Sequence, residues 1–95
     1  MSHPIPRPRL TIYRRAQCQL CDDAEAMLAT ELVGRASRGE LTPVLSRVDV
    51  TADPELEARY GARVPVFVVA GQELGPVVDP GRLRAFLERV LPVLV

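Results

Sequence analysis

The chain predicts a single α/β domain built on a four-stranded mixed sheet with helices on both faces. Three observations carry that prediction. Apolar or β-branched stretches recur at residues 10–13, 44–50 and 64–69. Two Asp-Pro pairs, Asp53-Pro54 and Asp79-Pro80, each read as an N-cap with proline at the first helical position. The only two cysteines, Cys18 and Cys21, fall between the first apolar stretch and a long helical pattern.

The elements follow in order. Leu10-Thr11-Ile12-Tyr13 reads as a first strand that runs into the cysteines. From Leu20, Ala24, Met27, Leu28 and Leu32 recur at helical spacing, while Asp22, Asp23 and Glu25 load the first turn with negative charge that suits a helix N-terminus. Gly34 and Gly39 are alternative ends, and the segment 35–38 is open between a last turn and a loop. Residues 44–50 read as a second, buried strand after Pro43. A short helix follows the Asp53 cap, with Leu56 and Tyr60 on one face and Gly61 as its stop. Residues 64–69 suit a central strand, and Ala70-Gly71-Gln72 turns the chain into a weaker antiparallel partner at Glu73-Leu74. After Asp79-Pro80, Leu83, Phe86, Leu87 and Val90 form an i, i+3, i+4, i+7 stripe that ends before Pro92. The order is therefore βαβαββα, with the first β-α-β unit parallel and right-handed and the last hairpin antiparallel.

Ninety-five residues make one small domain, able to bury roughly 60 to 65% of the surface of its unfolded chain. Residues 1–8, with Pro4, Pro6 and Pro8 and no apolar run, are expected to be an extended or frayed tail, and residues 9–95 the domain. A composition 47% hydrophobic with two cysteines fits an ordinary core rather than a disulfide-stapled secreted scaffold, so both thiols are free for chemistry. Twelve arginines balance twelve acidic residues and there is no lysine. No global field then concentrates nucleic acid or an acidic membrane, and no lysine offers a Schiff base. No run approaches the roughly 20 apolar residues of a membrane span. The expected location is the reducing cytoplasm, the expected state a monomer.

Cys18-Gln19-Leu20-Cys21 is the chemical signature. A lone Cys-x-x-Cys near a β-α-β pattern reads as a dithiol redox site. With Cys21 in the first helical turn, Cys18 stands at the helix start, where unpaired backbone N–H groups stabilise a thiolate. Cys18 is the expected nucleophile and Cys21 the resolver. Half of a metal site shared between two chains and inert packing are the alternatives. Zinc would take four ligands, and His3 in the tail is the chain's only histidine. Asp22 and Asp23 read as N-terminal helix charges that offset part of the thiolate stabilisation.

The cysteine motif, the helix after it, and Arg63-Val64-Pro65 followed by an apolar strand resemble the glutaredoxin/thioredoxin superfamily over about residues 10–91. Tyr13 through Asp22, residues 48–56 and residues 59–66 look most like the short bacterial glutaredoxin-like family. The resemblance implies a thioredoxin fold, a cis peptide bond at Pro65, and a Val64 backbone that faces the cysteines and pairs strand-like with a peptide or with glutathione. A proline there also keeps an N–H off the thiols and excludes metal ligation, so no metal and no tightly bound cofactor is expected. The Gln19-Leu20 pair, Arg63, and Gly75-Pro76-Val77-Val78-Asp79 depart from glutathione-using glutaredoxins, and a thioredoxin-type tryptophan is missing.

The implied function is thiol–disulfide exchange on a protein disulfide or a glutathione mixed disulfide, with electrons returned by glutathione or a reductase. The alternative is a redox-sensitive peptide-binding module without turnover. Candidate substrate contacts are Val64, Pro65, Arg63, Tyr13, Arg14 and Asp79. Arg14, with Arg15, is a candidate partner for a carboxylate or else a solvated surface charge. Arg63 stands at the rim of the implied groove. Tyr13 shields the thiols or merely ends a strand. Asp79 is foremost a helix cap, with contact to a ligand amino group as the second reading.

Overall fold

A computed structural model describes residues 7–91. Strand β1 (Arg9–Arg14), helix α1 (Gln19–Ser37), strand β2 (Val44–Asp49), helix α2 (Pro54–Tyr60), strands β3 (Val66–Val69) and β4 (Gln72–Leu74), and helix α3 (Pro80–Val90) follow in the expected order. Two 3₁₀ turns, Val50–Ala52 and Gly61–Arg63, flank α2. The sheet order is β2-β1-β3-β4. β1 pairs parallel with β2, with Ile12 opposite Arg47, and antiparallel with β3, with Ile12 opposite Phe67. β3 and β4 form the antiparallel hairpin. Its two-residue turn has Ala70 at φ 49° and Gly71 at φ 81°, the left-handed pair of a type I′ hairpin, whose twist matches that of its strands.

Strand alternation divides the core into two. Leu10, Ile12, Phe67 and Val69 pack with Ala24 and Leu28 of α1 and with Leu83, Phe86 and Leu87 of α3. On the opposite face Val66 packs with Val50 and Tyr60, joined by the half-buried Tyr13, Leu56, Val64 and Val68. Helices thus cover both faces, α1 and α3 on one and α2 on the other, and the apolar stripe of α3 lies inward as its spacing predicted. Among the described residues no helix is long and apolar enough to cross a membrane.

Several local expectations change. β2 is an edge strand, not a buried one: Val44 is 39% and Leu45 45% exposed, because a strand outside β1 has a ladder partner on one side only. α1 runs through Gly34 to Ser37, held by the buried Arg35, whose Nε donates to Leu41 O at 2.9 Å and whose guanidinium lies 3.4 Å from Glu40. β3 starts only after Pro65, which has no N–H for the ladder. Gly61 ends α2 as its C-cap, as expected, without entering a left-handed conformation. It stays right-handed at φ −55°, and a Cβ there would meet Glu57 Cδ at 2.6 Å and Arg15 Nη2 at 2.9 Å.

The expected tail of residues 1–8 overlaps the described residues only at Arg7 and Pro8, and both are fastened to the β2 end of the sheet. Arg7 donates to Thr42 O at 3.0 Å and Pro43 O at 2.9 Å, and Val44 N donates to Pro8 O at 2.8 Å. His3 and Pro92 lie outside the described residues.

Candidate functional site

The dithiol stands where β1 hands over to α1. After Arg14 the chain turns through Ala16 and Gln17, the latter at φ 55°, a left-handed value that a residue with a Cβ seldom adopts. Cys18 follows as the extended N-cap of α1, its Sγ accepting from Cys21 N at 3.1 Å while Asp22 N donates to Cys18 O at 3.0 Å. Cys18 and Cys21 are joined as a disulfide with their Cα atoms 5.2 Å apart. Their exposure differs: Cys18 is half-buried and Cys21 is fully buried. One sulfur is open to an incoming group and the other lies beneath it. The 19-residue helix aims its unpaired N–H groups at Cys18, an arrangement that favours a thiolate once the bond is reduced.

Charge around this point is paired within the chain. Arg14 donates to Asp22 at 2.8 Å and also bonds Glu25, which in turn accepts from Arg47 of β2. Hydrogen bonds to Asp22 first and to Glu25 next hold the Arg14 guanidinium above its ordinary pKa. An open cleft of about 490 Å³ is lined by these four residues. Arg15 is committed too, donating to Glu57 at 2.6 Å and Gly61 O at 2.7 Å. Asp23 accepts from the Gln19 amide at 2.8 Å, and among the described residues no cation pairs with it.

The Val64-Pro65 peptide bond is cis, as the resemblance implied, and Gly75-Pro76 is cis as well. Topology places Pro65 at the dithiol end of the sheet. Tyr13 pairs with Val66, so β1 leaves toward Cys18 from the edge at which β3 enters from Pro65. Gly75, at φ 138°, closes on that point, since a Cβ added to it would run into the Pro65 carbonyl.

The remaining sequence candidates are engaged elsewhere. Arg63 pairs with Glu73 at 2.9 Å, donates to Arg59 O at 3.2 Å, and stands 5.1 Å from the centre of the Tyr60 ring. Tyr13 lies flat on Tyr60, with ring centres 4.0 Å apart and planes 13° apart. Burial, and then the neighbouring Tyr60, raise its phenol pKa above the ordinary 10.0. Asp79 caps α3, accepting from Arg82 N at 2.8 Å and pairing with the Arg82 guanidinium at 3.0 Å. Among the described residues no three or more His, Cys, Asp or Glu side chains are grouped to hold a metal ion.

Sequence reasoning passed over a groove beside the cysteines. Leu20, Asp23 and Met27, at i, i+3 and i+7 on α1, face Pro76, Val77 and Val78 of the β4–α3 loop across a space of about 330 Å³. Leu20 is 67% and Val77 61% exposed. The local signal was a leucine between two cysteines at the helix start. Its partner wall lies more than fifty residues away in the chain, and nothing local points to it.

The glutaredoxin-like domain family (DUF836) matches residues 9–88. The uncharacterised protein Rv0508 of Mycobacterium tuberculosis is 33% identical over 86 residues, covering 90% of this chain and 88% of its own. The X-ray structure of protein XcR50 from X. campestris is 37% identical, covers 84% of this chain and 96% of that one, and superposes with a TM-score of 0.63. A mutant thioredoxin from Halobacterium salinarum, 21% identical, shares the fold with a TM-score of 0.62 over 93% of this chain and 78% of its own. A thioredoxin-like fold with a close Cys18–Cys21 pair supports a redox-type function. The chain is a member of the glutaredoxin-like domain family, within the glutaredoxin/thioredoxin superfamily.

Proposed function

We propose that the protein is a thiol–disulfide oxidoreductase. The observation that carries this reading is the unequal placement of the two sulfurs: Cys18 is half-buried at the N-cap of α1, and the fully buried Cys21 stands one helical turn on, close enough to bond it. In the reduced protein the Cys18 thiolate attacks one sulfur of a substrate disulfide. The substrate S–S bond breaks, a mixed disulfide forms on Cys18, and the first substrate thiolate leaves and takes a proton from solvent. The Cys21 thiol then loses its proton and attacks Cys18 Sγ, which releases the second substrate thiol and closes the Cys18–Cys21 bond. Two electrons have passed from the dithiol to the substrate disulfide. A thiol donor, either glutathione or the dithiol of a reductase, reverses the sequence and regenerates the protein.

Turnover in this direction needs a reducing compartment, and we place the protein in the cytoplasm on that ground. The Val64-Pro65 backbone, at the dithiol end of the sheet, is the proposed strand-like partner of a bound substrate.

Cysteine variants test the reading. Cys18→Ser should abolish reduction of a small disulfide, while Cys21→Ser should accumulate a mixed disulfide visible as added mass. Wild-type protein that reduces neither a protein disulfide nor a glutathione mixed disulfide would overturn it in favour of a peptide-binding module without turnover.

A further inference from the structure

Two observations at the dithiol point the same way. The groove between α1 and the β4–α3 loop is apolar along Leu20, Met27, Pro76, Val77 and Val78, and its single charge is Asp23. Leu20 and Val77 hold most of their surface in water, where large apolar side chains gain nothing unless something covers them. The second observation concerns cations. Arg14, Arg15 and Arg63, the arginines flanking the cysteine motif and the Val64-Pro65 turn, are each already paired with a carboxylate: Asp22 and Glu25, Glu57, and Glu73 in turn. A small anionic disulfide arriving in this groove meets no arginine among its lining residues, only the charge of Asp23. An extended apolar segment would cover Leu20 and Val77, and a basic side chain on it would complete Asp23, whose one partner among the described residues is the neutral Gln19 amide.

We infer that this groove selects a polypeptide disulfide whose cysteine is flanked by apolar residues and a basic residue, and that it discriminates against oxidised glutathione. The inference rests on the thiol–disulfide reading above and names the substrate class of that same dithiol. Specificity arises in two ways: apolar cover of Leu20 and Val77 favours the peptide, and the uncompensated Asp23 acts against anionic competitors.

The test uses the pre-reduced protein, freed of reductant, in single-turnover reactions quenched by alkylation and read by mass. Four disulfides serve as probes: the neutral bis(2-hydroxyethyl) disulfide, oxidised glutathione, a homodimer of a peptide with leucine, valine and arginine around its cysteine, and the same peptide with glutamate for arginine. The basic peptide should react about tenfold faster than its acidic twin and than oxidised glutathione, each rate divided by that of the neutral probe, as expected for one close charge pair near a surface. Asp23→Lys should remove or invert the preference between the two peptides. Val77→Ser should lower the rate with both peptides relative to the neutral probe. Division by the neutral rate takes out any change in Cys18 reactivity. A neutral probe that reacts while the peptides and glutathione are treated alike, or a peptide preference untouched by Asp23→Lys, overturns the inference and leaves the oxidoreductase reading standing. Failure of all four probes overturns both.

Discussion

Arg14, the last residue of β1, bonds Asp22 in the first turn of α1 at 2.8 Å and so ties the two elements on either side of the cysteine turn. The contact also changes the charge seen by Cys18. Asp22 on its own opposes a thiolate at the helix start, and the paired guanidinium cancels much of that opposition.

Arg14→Ala should therefore weaken both effects. Asp22 and Glu25 lose a cation, so the reduced Cys18 thiol should titrate higher, the direction expected when a neighbouring positive charge is removed. Iodoacetamide alkylation rates against pH on the reduced protein measure the midpoint. Stability should fall by about 1 kcal/mol, since Arg47 still satisfies part of Glu25, and urea unfolding of the oxidised protein reads this loss. An unchanged alkylation midpoint would show that Arg14 contributes nothing to the thiol's field.

Gly75→Ala should be among the most damaging single-methyl additions. The residue sits at φ 138°, and the added Cβ would be driven into the Pro65 carbonyl and to within 3.1 Å of Val66 Cα. We expect a loss of about 2–4 kcal/mol in chemical denaturation, from backbone strain together with a displaced turn. Gly71→Ala makes a useful comparison, because its φ is also positive at 81° but nothing lies within 4 Å of a Cβ there. It should lose less.

Ala70 offers a gain. It occupies the first position of the Ala70-Gly71 turn at φ 49°, which alanine adopts poorly and asparagine well. Ala70→Asn should stabilise the protein by about 0.5–1 kcal/mol and raise the thermal midpoint. A neutral or negative change would mean that the turn relaxes away from the type I′ geometry.

Tyr13 predicts an alkaline signature. Its phenol is raised above the ordinary 10.0 by burial and then by Tyr60, so the folded chain holds this proton more tightly than the unfolded one. That contribution to stability is complete below about pH 10 and is lost as pH rises through the folded value. In Tyr60→Phe, Tyr13 is the only tyrosine left, and its tyrosinate absorbance should still titrate above the ordinary value, with a smaller shift than in the parent. A midpoint at or below that value would contradict the burial assigned to Tyr13.

Helix starts and the order of elements along the chain were legible because their causes are local. Asp53 and Asp79 cap the backbone amides of Glu55 and Arg82, each at 2.8 Å, and a cap followed by proline carries that information within three residues. The Leu83, Phe86, Leu87 and Val90 stripe and the alternation in β1 likewise needed only the helix and strand periods. The β2 error was of another kind. Its residues look like a buried strand, but burial depends on whether a further strand lies outside it, and none does among the described residues.

What the sequence determined by itself was the dithiol, its place at a helix start and the βαβαββα order, since spacing, capping and periodicity are written in neighbouring residues. What only the tertiary structure decided was the use made of the residues around it. Arg14, Arg15 and Arg63 turn out to be spent on Asp22, Glu57 and Glu73, and Leu20 turns out to face Val77 across a groove. The arginines near the dithiol and the carboxylates that neutralise them lie 8 to 42 residues apart along the chain, at separations of 8 for Arg14 with Asp22 and 42 for Arg15 with Glu57. Pairing over such separations depends on which side chains the folded sheet brings within reach, and no local pattern encodes it.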